Sequence, residues 1–278
     1  MPLSPQDKRL LLDYCISVAR AGALEAYNRT REPDLTRVKK SGDELSLANV
    51  DAAVQRKMAA GLLEMTEGQF KLSVRGEDIE PIEVQGADLV AWLDCPDGTQ
   101  NSVTFHSDFV SLVSVFDQIG SLLVVSYVPG VIPGLGYTAI RGQGATLYQY
   151  IPTTGRENRL SLPLTDRFKN FPIILTDWAW LPEKQHLITE FMQRLVGERL
   201  SFRMYGSAGY EATLVAEGKA AAMVHTDLKI WEFAITLLIS EAGGKVWSKQ
   251  VSEDSFAVVA SMDHQLHKKL VAELEPLV

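Results

Sequence analysis

Cysteine is nearly missing: the 278-residue chain has two, Cys15 and Cys95, and no CxxC pair. A disulfide scaffold and a thiolate zinc or redox site are therefore excluded. Histidine is scarce too, five in all, and His106, His186, His264 and His267 do not form the spacing of a metal cluster. His264 and His267 would share a helical face but have no third ligand, which points to solvated surface. No apolar run is long enough to span a bilayer, because the most apolar stretch, residues 121–136, is interrupted by Pro129 and Pro133 and falls short of the roughly 20 residues required. Positive charge is also in deficit, with 27 Lys and Arg against 35 Asp and Glu for a net charge of −8. That is the wrong sign for gripping nucleic acid by its phosphates, so neither a nucleic-acid polymer nor a membrane is expected as a partner. The opening MPLSPQDKR is polar rather than a basic tip before an apolar run, and the cytoplasm is the expected compartment. An acidic surface still admits a small anionic substrate, since a metal ion can reverse the sign of a site locally.

What is present is ordinary for a globular protein. Hydrophobic residues at 46% and charged residues at 22% exclude disorder, collagen and coiled coil. The length predicts two small domains or one large layered one. Ser4-Pro5-Gln6-Asp7 reads as a helix start, with a hydroxyl cap, proline at the first position and a carboxylate in the first turn; Leu11, Tyr14, Cys15 and Val18 then recur at helical spacing. Residues 30–44 have no apolar period and read as a mobile loop. Val50, Val54, Met58, Leu62 and Met65 mark a second amphipathic helix with Asp51 in its first turn, so two helices are predicted ahead of any sheet.

Strands are predicted at residues 70–75, 88–93, 110–116 and 122–128, the last two joined as a hairpin. Arg141-Gly142-Gln143-Gly144 lies between strands and reads as a hairpin turn rather than a phosphate loop. After a loop at 152–170, strands at 173–175, 201–204, 220–224 and 256–260 alternate with helices at 182–196, 207–217 and 230–242 and a terminal helix. This order implies an α/β fold: an N-terminal α+β half, residues 1–155, and a C-terminal α/β half, residues 156–278.

The densest chemical signal is Asp94-Cys95-Pro96-Asp97-Gly98-Thr99, directly after the apolar run 89–93. Two carboxylates three residues apart at the end of a buried strand repel each other, and a hard divalent cation would hold both ionised. Gly98 and Thr99 add backbone N–H groups and a hydroxyl suited to a phosphate oxygen or a water. Asp, Pro and Gly are also turn formers, and such a segment alone is more often a turn than a site.

Gly76-Glu77-Asp78 lies upstream; Gly206-Ser207-Ala208, Trp231-Glu232-Phe233-Ala234 and Glu241-Ala242-Gly243-Gly244 lie downstream. Together and in this order, over nearly the whole chain, these segments resemble the inositol monophosphatase superfamily of magnesium-dependent, lithium-sensitive phosphatases, which shows GEE, DPxDGT, GSA, WDxAAG and EAGG. The resemblance implies a layered αβαβα sandwich and two or three Mg2+ ions. It implies that Glu77, Asp94, Asp97, the carbonyl of Pro96 and Glu232 are magnesium ligands. Thr99, oriented by Asp51 and working with Glu77, would position the attacking water. Asp97, Gly98, Thr99, Ala208 and His225 would contact the substrate. The implied activity is hydrolysis of a small phosphate monoester, an inositol or sugar phosphate, with a homodimer as the implied assembly. The alternatives are a 3'(2'),5'-bisphosphate nucleotidase, or a weakened member that binds a phosphorylated ligand. For a second substrate phosphate, Arg156, Arg159 and Arg167 are candidate cations.

Several positions depart from the family pattern. Glu232 replaces aspartate and extends the carboxylate by about 1 Å, against the near-octahedral geometry magnesium prefers. Residues 233–236 replace a run of small residues, Cys95 displaces the usual proline, Ala48 replaces a hydroxyl residue, Ser102 replaces an aromatic, and His225 stands where a substrate-contacting acid is common. Cys95 reads as a small buried filler. Trp178, Trp180 and Trp247 read as packing residues.

Overall fold

In the computed structural model the residues described are 3–30, 38–39, 45–46, 48–105, 107–129, 134–151, 156–177 and 185–278. His106, Trp178, Trp180 and the start of the helix predicted at 182 lie outside them, as do most of the predicted loop 30–44 and the side chains of Ala48 and Arg156. Helix α1 (Pro5–Arg29) begins as its sequence dictates: Oγ of Ser4 accepts the N–H of Asp7 at 3.1 Å, and the Asp7 carboxylate reaches back to the Ser4 N–H. A two-residue antiparallel pair, β1 (Val38–Lys39) and β2 (Leu45–Ser46), precedes α2 (Ala48–Thr66). Two helices therefore precede the main sheets, with this small pairing between them.

The first large sheet has seven strands in sequence order: β3 (Leu72–Gly76), β4 (Leu89–Asp97), β5 (Val110–Asp117), β6 (Gly120–Val128), β7 (Leu135–Ile140), β8 (Gly144–Ile151) and β9 (Arg156–Ser161). All neighbours are antiparallel except β3 and β4. The strand β9 falls in the predicted loop 152–170; its polar sequence, RENRLS, has no apolar alternation because it is an exposed edge strand. Helix α3 (Thr99–Thr104) follows β4.

The second sheet has the order β11-β10-β12-β14-β13, built from β10 (Ile173–Thr176), β11 (Ser201–Arg203), β12 (Ala222–Lys229), β13 (Lys245–Gln250) and β14 (Ser255–Ser261). Strand β13 was not expected from the sequence; KVWSKQ is largely polar and, like β9, sits at an edge. Helices α4 (Gln185–Arg194), α5 (Ala208–Ala216), α6 (Ile230–Phe233), α7 (Ile235–Glu241) and α8 (His264–Leu274) complete the chain. The single helix predicted over 230–242 is two, interrupted at Ala234.

Strand periodicity separates three apolar cores and so produces five layers. On β5, Val113 and Val115 face α1 and α2, whereas Val110 and Leu112 join a second core with Ala212, Val215, Ile235 and Leu238 of α5 and α7. Those two helices lie between the sheets, touching β5 and β6 on one side and β12 and β14 on the other. On β14, Val258 and Ala260 face this central core, while Ala257 and Val259 pack with Phe191, Leu270 and Leu274 of the outer helices α4 and α8. The result is the αβαβα sandwich the sequence implied.

Candidate active site

The site is made where β3 and β4, the first turn of α2, the start of α5 and the start of α6 converge. Strand β4 does not stop at Leu93, as the sequence suggested, but runs on through Asp97. Residues three apart on a regular strand point to opposite faces. Here a bulge intervenes: Asp94 pairs with Leu112 and Asp97 with Val110, so two residues of β4, Cys95 and Pro96, oppose the single Ser111 of β5. The extra residue turns both carboxylates toward one place.

Asp94, Asp97 and Glu232 present carboxylate oxygens that all lie within 4.8 Å of one another. Asp94 and Asp97 are buried, and Oδ1 of Asp94 is sealed from solvent without a hydrogen bond. Burial raises the Asp94 carboxyl well above its usual range, and the charges of Glu77, Asp97, Glu232 and Asp51 push the same way. Asp97 is raised chiefly by burial, against two donors from the start of α5: the Gly209 N–H at 2.6 Å and the Ser207 hydroxyl at 3.0 Å, both on Oδ2. Glu232 is raised by burial and by Asp97, while its Oε2 accepts the Lys229 N–H at 2.9 Å. Hard oxygen donors, close together, largely buried and mutually repelling, fit a divalent cation such as magnesium.

Glu77 stands at the rim. It is solvent-exposed, one residue past the end of β3, with its N–H on the Leu93 carbonyl at 3.3 Å, and its charge acts on all three clustered carboxylates. Asp51 is buried in α2, and the Thr99 hydroxyl lies 3.3 Å from its Oδ2 and 3.1 Å from the carbonyl oxygen of Pro96. Gly98 takes a left-handed conformation, φ +89°, and a Cβ there would come within 2.9 Å of Ser207 Cβ, so glycine lets β4 and the start of α5 meet. Ala208 is buried in the first turn of α5.

His225 is buried on β12, its Nε2 2.9 Å from Oε2 of Glu211. Burial lowers the pKa of the imidazole, but the bond and charge of Glu211, with Asp177 and Glu232, outweigh it and raise it to about 9. Cys95 is fully buried, and burial pushes its thiol far up, in keeping with a filler. Arg159 and Arg167 are exposed; Arg159 lies over the Tyr148 ring at the far edge of the first sheet. Trp247 packs against the outer core, His186 and His264 are exposed, and residues 141–144 form the expected hairpin turn.

Four contributors have no place in the sequence reading: Ser207 Oγ and Gly209 N–H on Asp97, Glu211 on His225, and Gln55. The last is fully buried, and its Oε1 accepts the Asp78 N–H at 2.9 Å, fixing the turn that carries Glu77. Asp51 and Gln55, two polar residues at i and i+4 on the buried face of a helix, were the available signal.

The sequence signature of the inositol monophosphatase family matches residues 8–277. This chain belongs to the inositol monophosphatase family. Within that family it is 24% identical over 229 residues to the inositol-1-monophosphatase of Bacillus subtilis, covering 82% of this chain and 80% of that protein. It is 30% identical over 244 residues to the Nus factor SuhB of Escherichia coli K12, covering 85% and 84%. Among solved structures, the extragenic suppressor protein suhB of Bartonella henselae superposes with a TM-score of 0.78 at 21% identity, over 95% of this chain and 98% of that one. Inositol monophosphatase II of Staphylococcus aureus superposes at 0.71 and 21% identity, over 96% and 98%. At such identities the superpositions establish the family fold.

Proposed function

We propose that this chain hydrolyses a small phosphate monoester with Mg2+, an inositol or sugar phosphate being the leading class. The observation that carries the reading is the Asp94, Asp97 and Glu232 group, three carboxylates within 4.8 Å around a buried oxygen that lacks a hydrogen bond. With Glu77 at the rim and the Pro96 carbonyl, these residues would hold the cations. Bound magnesium supplies charge neutralisation for the phosphate and activation of water for an in-line displacement.

The chain's own groups supply orientation. The Thr99 hydroxyl proton is committed to Asp51 or to the Pro96 carbonyl, which leaves the Oγ lone pairs to accept a hydrogen from the attacking water. Glu77 would share in positioning that water, and Gly98 and Thr99 in contacting the phosphate. Ala208, small and buried beside Asp97, and His225 would bound the alcohol side.

A 3'(2'),5'-bisphosphate nucleotidase is the alternative substrate assignment. A second reading, a member that binds a phosphorylated ligand but turns it over slowly, is favoured by Glu232 in place of aspartate and by the Nus factor name of a 30% identical relative. Phosphate release from a panel of inositol phosphates, sugar phosphates and 3'-phosphoadenosine 5'-phosphate, with and without magnesium and with lithium as inhibitor, tests these readings. Magnesium-dependent, lithium-sensitive release is expected. A flat panel from folded, magnesium-binding protein would favour the binding role.

A further inference from the structure

Beside the clustered carboxylates lies a second buried pair. Glu211 is fully enclosed: its Oε1 accepts the Tyr205 N–H at 3.0 Å, and its Oε2 takes the Nε2 of His225 at 2.9 Å. Burial raises the Glu211 carboxyl above its usual range, while the bond and charge of His225 and the Tyr205 N–H pull it down; a donor on each oxygen fits a carboxylate beside a protonated ring. The other imidazole nitrogen, Nδ1, has no hydrogen bond to any described residue, and it is not among the sealed polar atoms that lack a partner. The side chain keeps 7% of its surface open, so Nδ1 borders open space.

The register of β12 against β14 shifts between His225 and Leu228, a bulge just before the turn into Glu232. The imidazole is close enough to the clustered carboxylates for the charge of Glu232, together with that of Asp177, to act on it. Both nitrogens of a protonated ring are donors. With Nε2–H given to Glu211, Nδ1–H has no acceptor among the described residues and is free to donate to an incoming one. A carboxylate at this position would accept from hydroxyls of a neutral polyol; the imidazolium reverses that preference.

We propose that the Glu211–His225 pair selects substrates bearing a second anionic group, a phosphate or carboxylate, on the alcohol portion, His225 donating Nδ1–H to it and Glu211 positioning the ring. The proposal rests on the monoesterase reading above. Without this cation, such a substrate would meet the negative charges of Asp177, Glu211 and Glu232 that surround the ring.

Two matched pairs test it: 2-phosphoglycerate against glycerol 2-phosphate, and adenosine 3',5'-bisphosphate against adenosine 3'-monophosphate. The wild-type enzyme is expected to favour the doubly anionic member of at least one pair by about tenfold or more in kcat/KM, mostly through KM, the scale of one hydrogen bond to a charged group. His225→Gln and Glu211→Gln should bring that ratio toward one, and His225→Glu should invert it. A wild-type ratio near one in both pairs, or a ratio that survives in folded His225→Gln, overturns the proposal. If melting curves show the variants unfolded, the wild-type ratios decide. If no monoester is turned over, the monoesterase reading fails separately, and calorimetric binding of the same intact compounds with Mg2+ decides this one. Tighter binding of a doubly anionic member that is lost in His225→Gln supports it; equal binding overturns it.

Discussion

The backbone N–H of Lys229 donates to Oε2 of Glu232 at 2.9 Å, so the glutamate caps its own helix while lying within 4.8 Å of Asp94 and Asp97. Glutamate at the third helical position is the ordinary partner for such a bond, and this tether folds the extra methylene back. The tether sets where the longer side chain places its carboxylate.

Glu232→Asp should therefore weaken the site. Drawing the carboxylate back by about 1 Å is expected to raise the magnesium concentration for half-maximal phosphate release by about tenfold, and loss of the cap should cost roughly 0.5–1 kcal/mol. Magnesium titration and thermal melts measure the two effects. A higher rate at lower magnesium would show that aspartate fits this site better.

Thr99 and Asp51 should behave as one unit. Thr99→Val and Asp51→Asn are each expected to lower kcat by roughly 100-fold, in the range of general acid–base and positioning effects, with KM changing little. The double variant should be no worse than the poorer single one. Additive losses in the double-mutant cycle would separate the two residues.

Magnesium should stabilise the protein more at pH 8 than at pH 5. Burial and mutual repulsion raise the folded-state pKa of Asp94, Asp97 and Glu232 above unfolded values of about 4, so the metal-free fold binds extra protons. Its stability is greatest below about pH 4 as far as these groups are concerned, and is lost as pH rises through their raised values. Bound cations offset that repulsion. Melting temperatures at both pH values, with and without magnesium, give the comparison; equal increments would contradict it.

The His225 contribution has the same sign at higher pH. The folded-state value is raised to about 9 from about 6.5, so its stabilisation is full below about pH 6.5 and lost as pH rises through about 9. In His225→Gln this alkaline decline in melting temperature should flatten relative to the wild type.

Glu241, of the EAGG segment, should prove structural. Its carboxylate accepts the N–H groups of Gly142 and Gly144 at 2.8 and 2.7 Å, tying α7 to the β7–β8 turn. Glu241→Ala is expected to cost about 1–3 kcal/mol of stability, with kcat held to within a few-fold. A denaturation midpoint near that of the wild type would remove this role.

The local sequence determined much of this protein. The Ser4 cap, the hairpin at 117–120, the start of α5 at Ser207 and most of the buried strands follow from turn chemistry and apolar period, which act between neighbours in the chain. The ordered acidic and glycine-rich segments sufficed to name the family, and with it the five layers. Edge strands β9 and β13 were missed because a strand with little buried surface need not be apolar. The bulges after Asp94 and His225 were missed as well, because their backbone is fixed by pairing with β5 and β14 rather than by their own residues; the break at Ala234, between α6 and α7, has no signal in its apolar spacing. Only the tertiary structure brought the Gly209 N–H and the Ser207 hydroxyl onto Asp97, 110 residues or more away in sequence, and paired Glu211 with His225. A buried charge needs partners, and which partners reach it depends on how the two sheets close over α5 and α7, a long-range geometry that no local spacing encodes.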